Sequence, residues 1–155
     1  MHRFSATTES EALVAADRAV IWAALTDPVV LTALTPLLRH IEVHDDVWRW
    51  ELTSFPVLGL AVDAKFTERM RFTPGRRIDF GHEPAKGVVE HAGADGWYAL
   101  GKVPGGTHLA INLTLHVDLP LSRLAAPAVE RVMKATMDRT GGAFGHNLER
   151  HLGLK

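Results

Sequence analysis

The stretch THLAINLTLHVDLPLSRLAAPAVERVMKATMDRTGGAFGHNLERHL (residues 107–152) changes its periodicity once, at Leu119-Pro120. Before that point, apolar residues occupy every second position from Leu109 to Val117, which is typical of a strand with one buried face. After it, apolar residues recur every three or four positions, which predicts an amphipathic helix from about Pro127 to Leu152. The sequence therefore predicts a long strand followed by a long C-terminal helix, and the other segments are interpreted around these two elements.

The chain before residue 107 shows the same two-residue alternation in several segments. In the clearest of them, apolar side chains between Val62 and Phe72 share one face and mostly charged side chains share the other. Such a sheet is covered on one side only, and the C-terminal helix is the natural cover. Strands are predicted at Phe4–Ala15, Arg39–His44, Val47–Thr53, Ala61–Phe72, Arg77–His82, Gly87–His91 and Trp97–Val103, with a turn at Gly93–Gly96.

Two short helices are predicted between the first two strands. Asp17 is a suitable N-cap for a helix over Arg18–Thr26. Asp27-Pro28 ends that helix and starts another over Pro28–Leu34, because proline lacks an N–H but fits the first helical position. The predicted fold is therefore α+β, a single domain over residues 1–155 with a curved antiparallel sheet of about seven strands wrapped round the long C-terminal helix.

The composition excludes several classes of function. The net charge is −1, and no run of lysine and arginine is long enough to bind phosphates, so nucleic acid is not an expected partner. The chain has no cysteine for disulfide or thiolate chemistry. No apolar run reaches the roughly 18 residues that a membrane span needs, and residues 1–11 lack the features of a secretion signal. We expect a soluble cytoplasmic protein.

Three segments resemble the START-like superfamily, also called SRPBCC, and within it the bacterial proteins of the polyketide cyclase or dehydrase type. These segments are Val14–Trp22 with the following Leu25–Pro28, the Gly106-Thr107 start of the last strand, and the C-terminal run Phe144–Leu152. The resemblance covers nearly the whole chain. It implies the helix-grip fold with an apolar pocket between sheet and helix. Because the superfamily includes both carriers and enzymes, the resemblance alone does not select a function.

Glu68 is the most informative single residue, because it lies in phase with the apolar residues Phe66, Met70 and Phe72. An ionised carboxylate on an apolar face is costly unless it is paired. One interpretation makes Glu68 a polar anchor or an acid–base group that faces a ligand. The other makes it a strand-end residue that turns to solvent, or a member of an internal salt bridge.

Two histidines are candidate partners for Glu68. His82 is in phase with Ile78 and Phe80, and His91 is in phase with Val89, so either side chain is placed to face inward. A histidine beside the carboxyl would form an acid–base couple, with Glu68 and His82 as the candidate catalytic residues. The alternative is that both histidines lie at the rim and form ordinary hydrogen bonds.

Apolar side chains on the enclosed side supply the candidate ligand contacts, although large inward side chains also fill cores. No cysteine or His-Glu-x-x-His pair suggests a metal site, and no cofactor is expected. The candidates, with Glu68 as the polar member, are Trp48, Trp50, Phe66, Met70, Phe72, Phe80, Leu109, Ile111, Leu113, Met133, Met137 and Phe144.

Gly141, Gly142 and Gly145 interrupt the predicted C-terminal helix. Each interior glycine costs about 1 kcal/mol relative to alanine. Close packing against the sheet would explain them, and so would a segment that opens to admit a ligand. The sequence leaves both explanations open.

Three functions fit these patterns. The one we favour is the binding of a small hydrophobic molecule, lipid-like or polyketide-like, between the sheet and the C-terminal helix. The second is a cyclase or dehydratase that uses Glu68 with a pocket histidine. The third is a protein-interaction or regulatory module without a ligand. Exposed edge strands are also compatible with a homodimer.

Overall fold

A long C-terminal helix lies against a seven-stranded antiparallel sheet, with strand order β1-β9-β8-β7-β6-β3-β2, and β4 and β5 form a separate hairpin. The computed structural model describes residues 1–154. The predicted α+β helix-grip architecture is confirmed. The elements are β1 (His2–Val14), α1 (Arg18–Leu25), α2 (Pro28–Leu34), β2 (Leu38–His44), β3 (Val47–Leu52), β4 (Phe55–Val57), β5 (Leu60–Val62), β6 (Lys65–Thr73), β7 (Arg77–His82), β8 (Ala92–Val103), β9 (Gly106–Leu119), a short 3-10 turn (Arg123–Ala125) and α3 (Ala126–His151).

The two short helices begin where their caps predict. The Asp17 side chain accepts a hydrogen bond from the Ala19 N–H, and Asp27 accepts from the N–H groups of Val29 and Val30. These bonds satisfy N–H groups that have no partner within the helix. The caps therefore fix the two helix starts, and the helices bury Ile21, Leu25 and Leu31 in one end of the core.

Two of the predicted strands are wrong. The segment Ala61–Phe72 is divided, because Leu60–Val62 pairs with β4 in the small hairpin, and β6 starts only at Lys65. Residues 87–91 form no strand, and Val89 there is 78% exposed. The predicted turn at Gly93–Gly96 instead lies inside β8 and pairs with β9.

Two glycines inside β8, Gly93 and Gly96, allow close approach of neighbouring groups. A Cβ at Gly93 would collide with the rings of His82 and His116. A Cβ at Gly96 would collide with the Asn112 carbonyl oxygen of β9. Glycine in a strand often marks such an approach, and the sequence alone does not distinguish this use from a turn.

The packed interior consists of two clusters at opposite ends of α3. The first cluster joins Phe144 and Leu148 of α3 to α1, α2 and the nearby strand residues. The second joins Val129 and Met133 of α3 to β1, the β4–β5 hairpin and the far end of β9. Leu113 packs against both clusters. Space remains between the two clusters, under the middle of the helix.

None of the helices within residues 1–154 combines the length and the apolar character that crossing a membrane requires.

Candidate functional site

A cavity of about 510 Å³ lies between the sheet and the middle of α3. Its walls come from all seven strands of the main sheet on one side, and from α3 and the α2–β2 connection on the other. Eight of the residues predicted to contact a ligand line it: Trp50, Phe66, Glu68, Phe80, Ile111, Leu113, Met137 and Phe144.

The other five predicted contact residues do not line this cavity. Trp48, Met70, Phe72 and Leu109 pack in or against the first cluster, and Met133 packs in the second. The Phe72 ring lies 5.9 Å from that of Trp48, centroid to centroid. The four strand residues share the inward phase of the lining residues, but they pack with the buried residues of α1 and α2. Met133 lies on α3 and packs at its other end. Phase alone therefore does not distinguish lining from core.

Glu68 is 1% exposed and lies in the cavity wall. Its Oε2 atom and the Nε1 atom of Trp50 have no hydrogen-bond partner within residues 1–154. Burial and the nearby Asp95 carboxylate raise the pKa of Glu68 well above its ordinary value, and the Trp50 indole opposes this rise. The two side chains are thus close enough to interact, yet neither one completes a hydrogen bond with the other. The site holds a buried acid whose neutral form is favoured.

Tyr98 is a site residue that the sequence analysis missed. It lies on β8 opposite Ile78 of β7, and its side chain lines the cavity. Burial and the Glu68 carboxylate raise the pKa of Tyr98, so its hydroxyl stays protonated. The sequence contains a signal for it, because Tyr98 has the same phase as the apolar Leu100 in its predicted strand.

His82 is the register partner of Glu68 across β6 and β7, but its ring contacts a different carboxylate. Its Nε2 atom lies 2.9 Å from Oε1 of Glu90, and its ring centroid lies 4.9 Å from that of His116. His82 does not belong to the cavity lining. The structure therefore does not bring His82 and Glu68 together inside the cavity, and the catalytic role of either residue stays a prediction.

Glu90 is held by more than His82. It also accepts hydrogen bonds from the backbone N–H and the hydroxyl of Thr67, at 2.8 and 2.7 Å. Burial raises the pKa of Glu90, but these hydrogen bonds and that of His82 outweigh burial and leave the pKa below its ordinary value. This carboxylate is paired and structural, in contrast to Glu68.

The inward orientation proposed for His91 is wrong. Its side chain is 62% exposed, and its Nδ1 atom lies 3.2 Å from Oδ2 of Asp118. The reason is that residues 87–91 form a loop, so the alternation from Val89 does not apply.

The cavity lining includes exposed residues of both β1 and α3, which indicates that the cavity reaches the surface between these two elements, at an opening that we call the mouth. Thr8, Glu9 and Ser10 of β1 line one side of this mouth, and residues 134–142 of α3 line the other. Ser10 has the inward phase of its strand but is exposed, because the helix does not cover it. The Thr8 hydroxyl donates a 2.5 Å hydrogen bond to Asp138, which also forms a 2.8 Å ion pair with Lys134. These contacts tie the strand to the helix beside the mouth.

The helix glycines are not explained by close packing. A Cβ at Gly141, Gly142 or Gly145 would have no atom within 4 Å beyond the helix's own neighbouring backbone. Gly141 and Gly142 line the cavity, and no residue between Met137 and Phe144 is buried. The missing side chains leave the mouth wide.

A second, smaller depression of about 270 Å³ lies beside the end of β7. It is lined mostly by polar residues, and Arg69 pairs there with Glu83 at 2.7 Å. Within residues 1–154, no three histidine, aspartate or glutamate side chains lie together as metal ligands do.

No family model matches the sequence, and neither does any curated protein. Solved structures do match in fold. A START superfamily protein from Mycobacterium smegmatis aligns over 97% of this chain and 99% of its own, with 17% identity and a TM-score of 0.62. A protein from Deinococcus radiodurans aligns over 96% and 98%, with 20% identity and a TM-score of 0.60.

A third match is the di-domain ARO/CYC protein StfQ of the steffimycin biosynthetic pathway. It aligns over 97% of this chain and 53% of its own length, with 11% identity and a TM-score of 0.68. Identities this low establish the fold and leave the activity open. The resemblance inferred from the sequence is confirmed at that level: the chain has the START-like helix-grip fold.

Proposed function

We propose that the protein binds a small hydrophobic molecule, lipid-like or polyketide-like, in the cavity between the sheet and α3. The observation that carries this proposal is the space of about 510 Å³ left between two well-packed clusters. Ligand sites in proteins typically measure about 300–1,000 Å³ and have mostly apolar walls with a few polar groups. Those features describe this cavity.

The types of residue that line the cavity favour a ligand-binding site over a packing defect. Unfilled volume lowers the free energy of unfolding, and larger side chains at lining positions would recover it. Instead, small residues border the space, such as Ala94 on the sheet and Gly141 and Gly142 on the helix. The mouth between β1 and α3 provides a route for entry.

The direct experiment is titration with a neutral fluorescent probe, N-phenylnaphthylamine. We expect saturable binding at one site per chain, with competition by fatty alcohols and aromatic ketones. A folded protein that shows no saturable uptake of the probe, or of these competitors by calorimetry, would rule out ligand binding in this cavity. It would also rule out catalysis there.

A cyclase or dehydratase activity is the second candidate, and the buried Glu68 is the observation that favours it. A carboxyl with a raised pKa inside an apolar cavity can act as a general acid or base near neutral pH. The Tyr98 hydroxyl is the neighbouring protic group in the cavity. The test is turnover of a ligand found by competition. Loss of turnover in both Glu68→Gln and Tyr98→Phe supports an enzyme, and retained turnover in both excludes these roles.

A further inference from the structure

Two hydrogen-bonding atoms in the cavity wall have no partner among the described residues. They are Nε1 of Trp50 on β3 and Oε2 of Glu68 on β6. A buried polar group without a partner destabilises the fold, and most such groups in proteins are paired. Two of them in the same cavity wall indicate a partner that residues 1–154 do not supply.

These two atoms form one polar site on a wall that is otherwise largely apolar. Trp50 and Glu68 lie on adjacent strands and are close enough for the indole to influence the carboxyl. Tyr98 is near enough for the Glu68 carboxylate to affect its hydroxyl. Phe66 and Phe80 supply flat apolar surface beside them.

The chemistry of the groups decides what they bind. An indole N–H only donates hydrogen bonds, and a neutral carboxylic acid donates through its O–H. Burial and the Asp95 charge favour the neutral form of Glu68. Two unpartnered donors on neighbouring residues of one largely apolar wall match an oxygen with two lone pairs, such as a carbonyl oxygen.

We infer, on the basis of the ligand binding proposed above, that the ligand carries a neutral carbonyl group. Its oxygen accepts hydrogen bonds from Trp50 Nε1 and the Glu68 carboxyl, while its hydrocarbon part fills the cavity towards the mouth. A ligand carboxylate is disfavoured there, because Asp95 is close to Glu68 and the one cationic residue of the lining, Lys134, lies at the mouth and pairs with Asp138.

The test uses three naphthalene derivatives with nearly the same shape: methyl naphthyl ketone, ethylnaphthalene and naphthyl ethylamine. Isothermal titration calorimetry measures each Kd at pH 7. The two hydrogen bonds to the carbonyl oxygen are available to the ketone and not to the hydrocarbon. We therefore expect the ketone to bind roughly tenfold more tightly than the hydrocarbon, and the ammonium form of the amine to bind most weakly.

Variants locate the preference at the two donors. Trp50→Phe and Glu68→Met should reduce the ratio of ketone to hydrocarbon affinity to about threefold or less while hydrocarbon binding persists. Glu68→Gln should retain most of the ratio, because its amide N–H also donates and it keeps the shape of the side chain. Phe66→Leu is the matched control on the same wall, and it should weaken both ligands alike.

The outcomes separate this inference from the function on which it rests. If ethylnaphthalene binds and the ketone has no advantage, or the advantage survives in both Trp50→Phe and Glu68→Met, the carbonyl site is wrong and ligand binding stands. If the amine binds most tightly, Glu68 is ionised and the inference is also wrong. If none of the three compounds binds, both proposals fail.

Discussion

Glu68 brings a hydrogen-bonding group into a part of the molecule where most neighbours are apolar. Alternation with Phe66 and Met70 was sufficient to predict its inward direction. Alternation could not show that it lacks a partner, because that depends on which side chains reach across from adjacent strands. His82 demonstrates the limit, since it sits opposite Glu68 in register yet bonds to Glu90.

The buried acid should make stability depend on pH in a specific direction. The folded pKa of Glu68 lies above the ordinary value of 4.5, so the unfolded chain ionises first as the pH rises. Stability is therefore lost between pH 4.5 and the folded pKa, by up to about 1.4 kcal/mol per pH unit. Glu68→Gln removes this loss, so the difference in free energy of unfolding between variant and wild type should shift in favour of the variant as the pH rises from 4.5 to the folded pKa of Glu68, when measured by urea unfolding.

Glu90→Gln is the matched control, with the opposite sign. The folded pKa of Glu90 is lowered, so its ionised form stabilises the protein above pH 4.5, and that contribution disappears as the pH falls. The variant should be less stable than the wild type at pH 7 and approach it in acid. A constant difference across the pH range for both variants would contradict this account.

At the scale of elements, the long helix is the clearest success of sequence reasoning. A periodic stripe predicted Pro127–Leu152, and α3 runs from Ala126 to His151. The strands are harder to predict where a residue type such as glycine occurs both in turns and inside strands. Glycines at 93 and 96 favour a turn by composition, but in β8 they make room for side chains and backbone of neighbouring strands. That use is visible only once the neighbours are in place.

The glycines of α3 allow a test of the mouth. Gly142→Leu should raise the free energy of unfolding by roughly 1 kcal/mol through helix propensity, because the new side chain starts in open space. It should also weaken probe binding, because Gly142 lines the cavity. Gly145→Leu should give a similar gain in stability with little effect on the probe, since Gly145 is outside the lining. Urea unfolding and probe titration measure both, and equal loss of probe affinity in the two variants would argue against a mouth at Gly142.

At the scale of the whole molecule, the cavity is the feature that the sequence could suggest but not locate. Trp48 and Trp50 are two residues apart, equally aromatic and in phase, yet Trp48 is 3% exposed in the core while Trp50 lines the cavity. The difference comes from what covers each residue. The position of the helices on the sheet depends on the tertiary structure of the whole chain, and local sequence periodicity does not predict it.

A larger side chain in the cavity should lower the affinity for the probe and maintain or raise the free energy of unfolding. Ala94 lines the space, so Ala94→Met should be tolerated or stabilising and should reduce probe affinity. Ala92 lies two residues away on β8, and both alanines are buried in the second packed cluster, but only Ala94 lines the cavity. Ala92→Met should therefore cost about 1–3 kcal/mol through overpacking. Thermal unfolding and probe titration of the pair distinguish the two sites, and a large loss of stability in Ala94→Met would mean that the space is not free.

The separation of the two packed clusters also determines which substitutions the protein can accept while it remains folded. Phe4, Val129 and Ile21 hold the ends of the molecule together and take no part in lining the cavity. Substitutions at lining positions that are not among the buried residues of either cluster, such as Tyr98 or Ile111, therefore alter which molecule fits while the packing at Phe4, Val129 and Ile21 is preserved. Ligand preference can therefore change by substitution at these lining positions while the protein remains folded.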